Sequence, residues 1–347
     1  MDSLTHVVLG AVTGDLLAGK KLGKKAMFWG ALINSLPDID VGCMAYMTVP
    51  DGLIAHRGFT HSFAFAILLA PLLAFAIGRL YKNSPLNFRQ WSLFFFIQLS
   101  LHCIIDSFTA YGTALAEPFS HQRYALHILF VADPLFTLPW LVAFFALLIL
   151  KPLSFKRKHW SRMALLVTGF YLLFVGFSKV QATRVLHNNL VVMKNTSGDH
   201  YTTPTPFNSI LWYITIKQDS GMLTSHYSLL DRDEKLIFYF TPKNDSLAAT
   251  LSDRQSLETL IRFSEGYYCL RMIHDTLAFH DVRFGQIGGW YRPDAPYVFR
   301  YNLAPEANNT SVMNSGRTES STREALRELK ARIFRDYPKG LLRQPAN

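Results

Sequence analysis

The sequence predicts an α-helical integral membrane bundle of about six apolar helices, the first two short, followed by a small β-rich α+β extramembrane domain. Three observations carry this expectation. Half of the 347 residues are hydrophobic and 17% are charged, against roughly a quarter charged in an average soluble domain. The mean hydropathy of +0.13 is nevertheless too low for membrane helices throughout. The charge is also unevenly placed: residues 1–180 hold 15 of the 35 Lys and Arg and 8 of the 25 Asp and Glu. The chain therefore divides into a membrane-embedded part, 1–180, and a soluble-type part, 181–347.

Apolar runs occur at Leu4–Ala18, Ala26–Leu36, Phe63–Gly78, Trp91–Ile105, Ile128–Leu150 and Met163–Phe177. The fifth is the one that comfortably reaches the roughly 20 residues a spanning helix wants. The first two are short, and fit either an incomplete hairpin shielded by other helices or a pair of buried helices of soluble type. Basic residues retained in the cytoplasm set the orientation. Lys20, Lys21, Lys24 and Lys25, then Arg79, Lys82 and Arg89, then Lys151, Lys156, Arg157, Lys158 and Arg162 follow alternate runs, whereas the intervening loops carry only Arg57 and Arg123. Alternation through six runs puts the N-terminus, both poor loops and everything after residue 180 outside the cytoplasm. MDSLTHVVLG has no basic n-region and is not expected to be a cleaved signal peptide.

From Leu190 onward, short β-like stretches appear at Ser209–Lys217, Leu236–Phe240 and Tyr297–Leu303, separated by turn-forming residues. Ser321 and Glu324 match a capping box, and Leu326, Leu329 and Ile333 form an apolar stripe before Pro338 and Gly340, so one amphipathic helix is expected on the sheet. The net charge of +10 is assigned by its position to a lipid surface, and no nucleic-acid partner is expected. Cys43, Cys103 and Cys269 are odd in number and widely spaced, which gives neither a disulfide framework nor a Cys-based zinc module.

Ionisable residues are costly inside a membrane, so each one there is a functional candidate. Almost all fall in four motifs: Asp2 to His6, Asp38 with Asp40 after Pro37, His56-Arg57-Gly-Phe-Thr60-His61, and His102 to Asp106 followed by Thr109, Tyr111 and Gly112. Helical i, i+4 spacing puts His102 with Asp106, and Asp2 with His6, on one face. Asp38 and Asp40 can be presented by a turn, and Gly58 permits a bend before the third run. Singly, each has a commoner reading: a hydrogen-bonded His/Asp pair, a solvated Asp-x-Asp turn, a threonine cap. On the topology above all four meet at one outer membrane face, which favours a shared metal centre. Imidazole nitrogen with carboxylate oxygen is the donor set of hydrolytic zinc, manganese or iron, and the lack of Cys disfavours a structural zinc. Zinc is the first expectation, with one or two ions.

MDSLTH, LPDID, HRGFTHS and HCIIDSFTAYGT resemble the motifs of the bacterial membrane-bound metal-dependent hydrolase family of the YdjM type, over roughly residues 1–127. TPTPFN (Thr203–Asn208) and Arg283-Phe284-Gly285 are similar to segments of longer members with a C-terminal extension. The resemblance implies a multi-pass protein of the bacterial inner membrane with a divalent-metal hydrolase site, similar to the helical zinc-dependent phospholipases C and nucleases. It implies His6, Asp38, Asp40, His61, His102 and Asp106 as ligands, with His56 and Arg57 on the substrate side. Asp2, Thr60, Thr109 and Tyr111 are expected around them.

The residue types themselves suggest a water made acidic by a divalent ion. Asp40 or His56 would move a proton, and the planar fork of Arg57 would suit phosphate oxygens, although an Arg at a helix end also anchors lipid headgroups. A site at headgroup level points to a phospholipid or lipid-linked phosphate. A transporter with a His/Asp proton or ion relay, and a membrane-anchored interaction protein, are the competing functions. Glu117, His121, His127 and Asp133 are expected as surface, lid or supporting residues, and Asp15 stands alone in the first run. His274, Asp275, His280 and Asp281 are expected as surface polar residues. Trp212, Tyr213, Phe238, Tyr239 and Phe240 are expected in the sheet core.

Overall fold

All six apolar runs fold as helices, but of these only two are long and apolar enough to cross a membrane among the described residues. The computed structural model describes residues 1–193, 198–251, 254–306, 309–314 and 322–334. The helical part contains α1 (Ser3–Leu22), α2 (Lys25–Asn34), two short helices α3 (Asp40–Met44) and α4 (Val49–Ala55), then α5 (Phe63–Leu80), α6 (Phe88–Asp106), α7 (Pro134–Ile149) and α8 (Phe155–Val192). The membrane-capable pair is α5 and α8.

The expectation of about six apolar membrane helices, the first two short, is therefore not supported, and the reasons are local. The α1 helix is long enough but carries His6, Asp15, Lys20 and Lys21. Arg89, Gln90, Gln98, His102 and Asp106 interrupt α6. The fifth run yields only 16 residues of helix. Its start is fixed late, because Asp133 accepts hydrogen bonds from Leu135 N and Phe136 N and Pro134 takes the first helical position.

Two features lock these helices together. The α1 and α2 helices pack backbone to backbone: a Cβ on Gly10 would stand 2.5 Å from Gly30 O and 2.5 Å from Asn34 Cβ. Asp15 is not alone. Its Oδ1 accepts from Arg157 Nη2 at 2.5 Å and Nε at 3.1 Å, while Arg157 Nη1 donates to Leu147 O and Leu150 O at the end of α7. Arg157, counted from sequence as a loop cation, is thus a buried charge that is paired and also caps a helix.

By contacts the chain forms two units, one of residues 1–46, 55–176 and 206–208, the other of 47–54, 177–205 and 209–347. The division falls inside α8, which runs through residue 180 without a break. The second unit holds two four-stranded antiparallel sheets, β1 (His200–Pro204), β2 (Leu211–Lys217), β3 (Gly221–Ser228) and β4 (Tyr239–Pro242), then β5 (Tyr268–Ile273), β6 (Thr276–Gln286), β7 (Tyr297–Glu306) and β8 (Asn309–Asn314), with α9 (Gln255–Phe263) and α10 (Thr322–Phe334). Alternation along β2 explains the layers. Trp212, Ile214 and Ile216 pack on Ala182, Val185, Leu186 and Leu190 of α8, and Tyr213 faces Cys269, Val282 and Tyr297 of the second sheet.

Several sequence expectations need correction in this unit. The apolar stripe of α10 is Ala325, Leu329 and Ile333, while Leu326 is exposed. The Ser321 half of the expected capping box, with Pro338 and Gly340, lies outside the described residues. His280 and Asp281 are buried, not at the surface: Asp281 is paired with buried Arg283 at 2.8 Å. Phe240 is half exposed at the sheet's edge strand, outside the core that holds Trp212 and Tyr213.

Candidate metal centre

Four chain segments bring the site together. Asp2 caps α1, its carboxylate accepting from Thr5 N at 3.1 Å and Thr5 Oγ1 at 2.5 Å, which leaves His6 one turn inside the helix and buried. Asp38 and Asp40 sit on the 3₁₀ turn Pro37–Ile39 and the first residue of α3, directly after α2. His56, Arg57, Thr60 and His61 lie between α4 and α5, with His61 closing a second 3₁₀ turn, Phe59–His61. His102 and Asp106 share one face at the end of α6. The left-handed backbone needed between α4 and α5 falls on Arg57, with φ 62, and not on Gly58. Arg57 is held there by its own N–H, 3.3 Å from Asp40 Oδ2, and by its carbonyl, which accepts from Ala114 N.

The inner group consists of Asp38, His61, His102 and Asp106, whose donor atoms all lie within 4.8 Å of one another. His61 Nε2 is 3.3 Å from Asp38 Oδ1 and 3.6 Å from Asp106 Oδ2; His102 Nε2 is 3.6 Å from each of the same two oxygens. Bonds of about 2.0–2.2 Å to a tetrahedral ion place neighbouring ligand atoms about 3.3–3.6 Å apart. Two of the four atoms, His102 Nε2 and Asp106 Oδ2, are buried without a hydrogen-bond partner. Buried polar atoms are rarely left so, and a cation between them would satisfy both. The donor set fits a divalent ion.

Around these four, the remaining atoms are tied down. His102 Nδ1 is 2.6 Å from the carbonyl oxygen of Asn34. His61 Nδ1 is 3.0 Å from Thr60 Oγ1 and 3.3 Å from Asp40 Oδ2. Such contacts turn a ligating imidazole and fix its tautomer. Both oxygens of Asp40 are occupied, Oδ1 by His56 Nδ1 at 2.9 Å and Oδ2 by Thr60 Oγ1 at 2.8 Å. Asp106 Oδ1 is likewise engaged by His6 Nε2 at 3.0 Å and by the Met1 amino nitrogen. Of the six ligands read from sequence, Asp38, His61, His102 and Asp106 form the inner group, Asp40 forms a second group with His56 and His61 whose donor atoms also lie within 4.8 Å of one another, and His6 stands behind Asp106. His6 also stacks on His102, with ring centroids 3.8 Å apart.

Arg57 is 4% exposed. Its Nε lies 3.2 Å from Asp106 Oδ2, at ion-pair distance but without hydrogen-bond alignment, and its Nη1 donates to Thr109 Oγ1 at 2.9 Å. Its guanidinium rests over Tyr111, 4.7 Å from the ring centroid. The side chains of Asp38 and His56 keep 24% and 17% exposure, so the cluster meets solvent on their side. Burial would raise Asp38 and Asp40, but the neighbouring imidazoles of His102 and His61 hold the first, and of His56 and His61 the second, well below the usual carboxylate range. Burial would lower His61, yet its bonds to Asp38 and Asp40 and the charge of Asp106 raise it.

Of the residues expected around the ligands, Thr60 contacts Asp40 and His61, Thr109 contacts Arg57 and Tyr111 lies against Arg57 and His56, while the Asp2 carboxylate is taken up by Thr5. Glu117 and His121 pair with each other, with His121 exposed. Asp133 caps α7 and accepts from Tyr171 Oη. Sequence reading missed Asn34, which holds His102 by its carbonyl and His6 by its side chain at 3.3 Å. A lone amide in the second apolar run was the available signal. Arg123 was missed as well, since it was weighed only as a loop charge.

Comparison with known proteins agrees with the membrane character. The chain is similar to inner membrane protein YbcI of Escherichia coli (strain K12), 33% identical over 123 residues, covering 35% of this chain and 69% of that protein. It is also similar to YfhP of Bacillus subtilis (strain 168), 29% identical over 151 residues, covering 41% of this chain and 45% of that one. No solved structure matches. The model of the YdjM inner membrane protein family matches residues 1–185, more than half of the sequence, and the chain belongs to that family.

Proposed function

We propose that this protein is a membrane-embedded, metal-dependent hydrolase acting on a lipid or lipid-linked phosphoester. The observation that carries the reading is the pair of buried ligand atoms without a hydrogen bond, His102 Nε2 and Asp106 Oδ2, converging with His61 Nε2 and Asp38 Oδ1. Asp38, His61, His102 and Asp106 would hold one divalent ion, zinc first, which when bound supplies an acidified water and a Lewis acid for an oxyanion.

The chain's own groups do the rest. With Nδ1 donating to Asp40, His56 presents Nε2 as the basic nitrogen on the open side, where it can take a proton from water and return it to a leaving oxygen. Asp40 orients His56 and His61 together. Arg57 sets a planar cation beside the cluster for phosphoryl oxygens. The choice of an amphiphilic substrate is supported by position: α5, one of the two membrane-capable helices, begins at Phe63, two residues after His61. Its residues Ile67, Leu68, Leu72 and Phe75 are more than half exposed, as a lipid-facing helix requires. The basic residues between apolar runs, apart from buried Arg157, favour a cytoplasmic position for those loops and an outer-face position for the site.

The test uses full-length protein in detergent, stripped and then recharged with zinc or manganese, and assayed for release of phosphate or headgroup from phospholipid mixed micelles. Hydrolysis that needs the ion and disappears with it in the His102→Ala/Asp106→Ala variant is expected. Hydrolysis that survives stripping, or a wild-type protein that takes up no ion, rejects the reading.

A further inference from the structure

The segment between α6 and α7, residues 107–133, is long and contains one short antiparallel bridge, Thr113 with Tyr124. Loops of that length inside a folded unit commonly carry function. This one is docked on the site: Ala114 N donates to Arg57 O at 3.0 Å, and Phe63 N donates to Leu115 O at 3.1 Å. Arg123, next to the bridge, donates from Nη2 to His56 O at 2.9 Å, and its guanidinium carbon lies 5.9 Å from the centroid of the Tyr111 ring. Arg57 lies 4.7 Å from that same ring. Two guanidinium groups thus flank one aromatic ring, which itself lies against His56, with ring centroids 5.7 Å apart.

Gly112 makes this approach possible. Its φ is 76, and a Cβ there would stand 3.1 Å from Arg123 Cβ. The glycine at the end of the fourth sequence motif therefore has a geometric purpose, which is to let residues 123–125 pass close beside the chain that follows Tyr111. The charges point the same way. Asp38, Asp40 and Asp106 face Arg57, Arg123 and the Met1 amino group, so a divalent ion leaves the site with a net positive charge that an anion would balance.

We propose that Arg123, set with Arg57 against Tyr111, is a second anion-positioning residue that fits the site to a phosphoryl dianion, whether free phosphate or a phosphomonoester lipid headgroup. This rests on the metal-centre reading above. A guanidinium offers phosphate two parallel donors, whereas an ammonium offers a point charge, so Lys at this position restores charge but not the fork.

The experiment uses full-length, zinc-charged protein in detergent, with metal content, inorganic phosphate binding and binding of micelles containing phosphatidic acid measured on the same samples. Arg123→Ala is expected to keep its metal and to weaken phosphate binding about tenfold or more, as expected for one charge-assisted hydrogen bond. Arg123→Lys recovers part of that loss, and Gly112→Ala, which displaces Arg123 without removing it, weakens binding too. The probe that wild type binds more tightly identifies the source of the phosphoryl group. Wild-type phosphate affinity in Arg123→Ala with metal retained overturns the role of Arg123 and leaves the metal centre standing. A wild type that holds no zinc overturns both.

Discussion

His102 Nδ1 lies 2.6 Å from the main-chain carbonyl oxygen of Asn34. A carbonyl only accepts, so Nδ1 carries the proton and the Nε2 lone pair is directed at the carboxylates of Asp38 and Asp106. This one contact at the end of α2 turns an apolar hairpin into the backing of a polar site. Asn34 adds a second hold, since its Nδ2 donates to Gln98 O at 2.9 Å and its Oδ1 faces His6 Nδ1. Asn34→Ala keeps the carbonyl that holds His102 but removes the side-chain contacts to Gln98 O and His6 that anchor the end of α2, so metal affinity is expected to fall by up to about tenfold. Metal-competition titration with a chelator measures it, and unchanged affinity would remove Asn34 from the site's support.

The α1 and α2 helices approach so closely that a methyl group has no room at Gly10. Gly10→Ala must push Gly30 and Asn34 away, and a loss of roughly 1–3 kcal/mol is expected from overpacking. Thermal unfolding in detergent reads the stability, and metal titration reads the displaced Asn34. An alanine variant as stable as wild type would show that the hairpin is looser than described.

The Asp15 and Arg157 side chains are each about 4% exposed and face each other across α1 and α8. Removing one partner strands a buried charge, so Asp15→Asn or Arg157→Met should each cost about 3–5 kcal/mol, while the double substitution recovers much of the loss. A double-mutant cycle on the unfolding transition checks this; additive losses would mean that the two residues do not act as a pair.

In the sheet domain, burial together with Arg271 and Arg300 lowers His280 to about 4, and burial together with Arg332 lowers His226 to about 3. Both are neutral in the folded state, while the unfolded chain takes up protons below about pH 6.5. Above that pH neither state is protonated and the fold is unaffected. As the pH falls from 6.5 toward 4, the unfolded state gains protons that the folded state refuses, and stability drops by up to about 3 kcal/mol per histidine. Unfolding followed by tryptophan fluorescence across that range should show the loss, and His280→Gln should flatten it; an acid-insensitive transition contradicts the assignment.

The four motifs were legible because the site's chemistry is carried by residue types that a membrane-like segment excludes elsewhere. His61 and Asp38 stand out by type alone, whatever the tertiary structure does. Which neighbours each carboxylate meets was not legible. Asp40 and Asp38 are two residues apart and chemically alike, and only the folded chain sets Asp38 with His61, His102 and Asp106 and Asp40 with His56, Thr60 and His61. Helix length misled for a similar reason: counting apolar residues from Ile128 ignores that the Asp133 cap starts the helix at Pro134, six residues later. Asn34 and Arg123 act through a carbonyl and through a docked loop, contacts that have no sequence period.

The most direct measurement is elemental analysis of the purified full-length protein, paired with anomalous scattering at the edge of whichever metal is found. About one divalent ion per chain is expected, bound by Asp38, His61, His102 and Asp106, and lost when His61 and His102 are both replaced by alanine. A protein that holds no ion, or whose metal content ignores that double substitution, contradicts the account.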